Sequence, residues 1–131
     1  MKDKITLRDF TMDYVKQRAE EEITPDVLKG LIEKKDQIIA KCQEDKLLSH
    51  FKDDISIFLK IIEEYEKGVY SSIPFSVLSV MAYALKYILE ENDIIPDYIP
   101  CHGQLDDAII MLYAIHLTQK EVDKYLRSKT Q

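Results

Sequence analysis

Punctuation is what this chain has least of: three glycines and four prolines among 131 residues. A fold of many short strands needs a turn signal every ten or so positions, so a β sandwich or barrel is excluded. Cysteine is nearly as scarce. Cys42 and Cys101 stand far apart in unlike contexts, which excludes a small disulfide scaffold and leaves two reduced thiols. Basic charge is in deficit, 18 Lys and Arg against 24 Asp and Glu, for a net charge of −6. The cations are spread along helical faces rather than pooled in a stripe. Nucleic acid is therefore not an expected partner, because backbone binding needs clustered Lys and Arg to displace counterions. Simple electrostatic attachment to anionic lipid is disfavoured on the same grounds. Met1-Lys2-Asp3-Lys4-Ile5-Thr6 has no apolar core behind its charges, so no secretory leader is expected and the protein reads as cytoplasmic.

What is present is helical periodicity. With 46% apolar and 32% charged residues, the composition is that of a packed domain, and the patterning predicts an all-α, single-domain bundle of five to six helices over residues 1–131. The first helix is expected from Thr6 to Glu22, with Leu7, Phe10, Tyr14 and Val15 on one side and a fraying acidic end at Glu20-Glu21-Glu22. Thr24 and Pro25 form a helix start. Val27, Leu28, Leu31, Ile32, Ile38, Ile39 and Cys42 then recur at helical spacing across a charged middle. Gly30 lowers helix propensity there and leaves room for a close contact. Leu48, Phe51, Ile55, Phe58, Ile62 and Tyr65 share one face of a third helix, which stops at Gly68.

The fourth helix is different in kind. After Ser72 as cap and Pro74 in the first turn, apolar residues from Phe75 to Leu89 cover nearly every direction around the axis, and Lys86 is the one charge. Such a helix is either central in a bundle or in contact with lipid. Its length is at the short edge of the roughly 20 residues needed to cross a bilayer. A fifth helix, also apolar, is expected from about Gln104 to Leu117. Thr118 and Glu121 read as a capping box opening a short tail helix to Arg127; the alternative is one continuous helix.

Between these two apolar helices lies a connector rich in proline and aspartate: Asn92-Asp93-Ile94-Ile95-Pro96-Asp97-Tyr98-Ile99-Pro100, then Gly103-Gln104-Leu105-Asp106-Asp107. Residues preceding proline are pushed out of the α region, so Ile95 and Ile99 should be extended and the fourth helix should stop near Glu91-Asn92. Asp93 and Asp97 suit Asx-type turns and caps, Gly103 a sharp reversal, and Asp106 and Asp107 the first turn of the next helix. Tyr83, Tyr87, Tyr98 and Tyr113 lie near this joint, and Asp–Tyr hydrogen bonds across it are expected.

The same residues carry a family resemblance. Asp93, Pro96, Asp97, Tyr98, Pro100, Gly103, Asp106 and Asp107, with their apolar neighbours at these spacings, resemble the signature of the YkvA-like family, a widespread domain of unknown function. The resemblance covers about residues 70–117; the helices over 6–68 agree only in general character. Glu91 departs from it, since the family often has a proline there, and the fourth helix is expected to run further as a result. The resemblance implies a helical hairpin with a structured connector, in members regarded as membrane-associated, and implies no reaction.

Two functional readings follow. The first is a non-enzymatic module that binds a protein partner, a second copy of itself or a membrane surface through the apolar helix pair, at the periphery of the membrane or partly inserted in it. The second is a metal-dependent enzyme, such as a hydrolase, in which Asp93, Asp97, Asp106 and Asp107 converge on a divalent cation, hard oxygen ligands suiting magnesium, calcium or manganese. No cofactor is expected under the first reading, and caps and turns give each acid an ordinary structural account. Cys101, His102, His116 and His50 lack the paired spacings of a closed zinc site, and no nucleophile elbow surrounds Cys101 or any serine.

Overall fold

A computed structural model describes the backbone of residues 11–90 and 102–130, and the side chains of 11–89 and 108–130. The described residues form α1 (Met12–Glu22), α2 (Pro25–Glu33), α3 (Lys35–Glu44), a 3₁₀ turn (Leu48–Phe51), α4 (Lys52–Glu66), α5 (Phe75–Glu90) and α6 (His102–Lys129), with no strand among them. This is the expected all-α bundle.

Local chemistry sets most of the boundaries. Thr11 begins α1, its hydroxyl accepting the Tyr14 N–H at 3.2 Å. Thr24 does the same for α2 with the Val27 N–H, ahead of Pro25 at the first helical position. The Asp45 carboxylate accepts the N–H groups of Leu47 and Leu48 at 2.9 and 3.1 Å and so starts the 3₁₀ turn. At the end of α4, Gly68 adopts φ +74°. Its N–H bonds the Tyr65 carbonyl and the Val69 N–H bonds the Glu64 carbonyl, the two bonds of a Schellman motif.

The core is one contiguous cluster, and α5 runs through its middle. Leu78, Val80, Met81, Ala82, Tyr83, Ala84, Leu85, Tyr87 and Ile88 are all buried, and α5 packs against α1, α2, α3, α4 and α6. Of the two readings of an all-round apolar helix, the central one holds. α5 is enclosed by the chain's own helices. Nor is any helix among the described residues long and apolar enough to cross a membrane. At 16 residues, α5 is about 24 Å long against a hydrocarbon core of about 30 Å.

Other expectations change in detail. The helix begun at Thr24 breaks at Lys34 into α2 and α3, because the charged residues 33–36 offer nothing to the core and the chain re-aims there to bury Ile38 and Cys42. Gly30 makes no close approach; a Cβ there would meet nothing within 4 Å. The acid run ending α1 is held by cations, Arg18 pairing with Glu21 and Glu22 and Lys86 with Glu22. α5 starts at Phe75, the Pro74 carbonyl receiving the N–H groups of Val77 and Leu78 at 3.1 Å, one turn past the cap expected at Ser72. Thr118 caps nothing. It is buried within a continuous α6 of 28 residues, its hydroxyl donating to the Ala114 carbonyl at 2.7 Å, a back-bond to the preceding turn that helices accommodate.

Candidate functional site

Lys86 is the one charge on α5 between Phe75 and Leu89, and a charge on a buried helix needs a partner. That partner is Glu22 at the end of α1, whose Oε1 lies 3.1 Å from Lys86 Nζ. Glu22 Oε2 takes the guanidinium of Arg18, one turn earlier on the same face. Tyr83 is packed one turn before Lys86 and is buried, with its ring centroid 6.3 Å from that of Tyr87. Burial, with the Glu22 carboxylate adding to it, pushes the Tyr83 phenol far above its usual range, so it stays protonated. A third cation, Lys41 of α3, donates to the Ile88 carbonyl at 2.7 Å, where the negative end of the α5 dipole favours positive charge. Around the C-terminal half of α5 there are thus three cations from three helices and a carboxylate held between two of them.

The connector residues Asp93, Pro96, Asp97, Tyr98 and Pro100 lie outside the described residues, as do the Asp–Tyr bonds expected across the joint. Gly103, Asp106 and Asp107 fall within α6, described by their backbone. Because α6 starts at His102, Gly103 lies inside the helix rather than at a reversal, and Asp106 and Asp107 occupy the second turn, not the first. Among the described residues no group of three or more His, Cys, Asp or Glu side chains could hold a metal ion. Cys42 is buried and its thiol donates to the Leu48 carbonyl at 3.2 Å. His50 and His116 are exposed.

The family-model match falls on this half of the molecule. The family model described as "Protein of unknown function (DUF1232)" matches residues 77–113, which run from the first turn of α5 through the connector to the middle of α6. The "Uncharacterized membrane protein YkvA" of Bacillus subtilis (strain 168) is 28% identical over 94 residues, which cover 72% of this chain and 85% of that protein. The chain is thus similar to YkvA and, over residues 77–113, to that family. No solved structure matches. The family-model segment overlaps the connector that carries the resemblance, and it holds Tyr83 and Lys86 but not Arg18 and Glu22 on α1.

Sequence reasoning missed those partners. Two signals were present: a lone lysine in an apolar helix, and Arg18 placed three and four residues before Glu21 and Glu22. Neither says that α1 lies along α5, which packing decides.

Proposed function

We propose that this protein is a non-enzymatic helical module that works at the cytoplasmic surface of a membrane, as a peripheral protein rather than a spanning one. The observation that carries the reading is the enclosure of α5. A YkvA-like protein whose most apolar helix is wrapped by its own bundle has no described element to offer the bilayer core, so contact with a membrane is left to its outer surface. Support also comes from the relative in Bacillus subtilis, named a membrane protein. Fractionation of native cells tests it. The protein should sediment with membranes and be released by high salt or carbonate, treatments that leave spanning proteins in place. A wholly soluble monomer without stable partners contradicts the reading.

The aspartate reading keeps one observation in its favour. Asp106 and Asp107 lie a turn beyond the start of α6, where the helix dipole gives acids little reason to be, since its effect falls off within the first turn. Under this reading Asp93, Asp97, Asp106 and Asp107 bind magnesium, calcium or manganese, in an enzyme such as a hydrolase. Purified protein should then melt at higher temperature with millimolar divalent ion, and Asp106→Asn together with Asp107→Asn should abolish the increase. A melting temperature indifferent to metal removes the enzyme reading.

A further inference from the structure

We draw no further inference here: the strongest candidate, the outer face of α6 on which Leu112 and Leu126 stand exposed with the half-buried Ile115 and Val122 between them, is an apolar strip interrupted by the exposed Gln119, and nothing in the structure shows what covers it.

Discussion

At Glu64 a single carboxylate ties α4 to the last turns of α6. It accepts the Tyr125 hydroxyl at 2.7 Å and pairs with Lys129, and the hydrogen bond from Lys129 holds its pKa below the usual carboxylate value against the opposing effect of burial. Hydrogen bonds to a charged acceptor of this kind are each worth about 1–3 kcal/mol, so Glu64→Gln should lower stability by about 1–2 kcal/mol in urea unfolding. A carboxyl whose folded pKa is depressed adds stability that is complete above its unfolded value, 4.5 for a glutamate, and that disappears as pH falls through the folded value. Unfolding midpoints of the wild type should therefore drop on acidification below about pH 5, and the Gln variant should show a shallower fall. Glu63, lowered by its bond to Lys35, contributes with the same sign. Asp54, raised by burial and then by Asp53, has the opposite sign and gains stability as pH falls. None of these ties was legible in the sequence, where Glu64 reads as one more acid on a solvated face. Its partners lie 61 and 65 positions away, and only the packing of α6 against α4 brings them to it.

At the scale of the element, two glycines of similar appearance have opposite roles. Gly68 sits at φ +74° with open space around it, so a substituted Cβ meets no neighbour and the cost is purely that of the left-handed backbone. Gly68→Ala should cost about 1–2 kcal/mol and Gly68→Asn less, since asparagine tolerates that region. Gly30 lies inside α2 with equal space and no positive φ. Gly30→Ala should therefore stabilise by about 0.5–1 kcal/mol. Denaturant midpoints at unchanged slope check both signs. The stop at Gly68 was legible because the glycine falls just past a period of apolar residues; the caps Thr24 and Pro25 were legible for similar local reasons. The continuity of α6 was not. Thr118 followed by Glu121 has the composition of a helix start, and what decides against it is burial, which turns the Thr118 hydroxyl back on the Ala114 carbonyl.

At the scale of the molecule, the fate of α5 governs the functional reading. Periodicity could say that this helix is apolar on every side, but the same pattern serves a membrane contact and a bundle centre. Helices α1, α2, α3, α4 and α6 around it make it a centre; under the membrane-surface reading proposed above, cell fractionation should then find a peripheral protein released by salt. The sequence by itself determined the helical class and the boundaries at Thr24–Pro25 and Gly68, because caps and periodicity act over a few residues. The tertiary structure alone decided that α5 is enclosed, that Lys86 and Arg18 meet on Glu22, and that Val69 stays exposed. Those outcomes depend on which faces meet across the fold, and no local pattern encodes that.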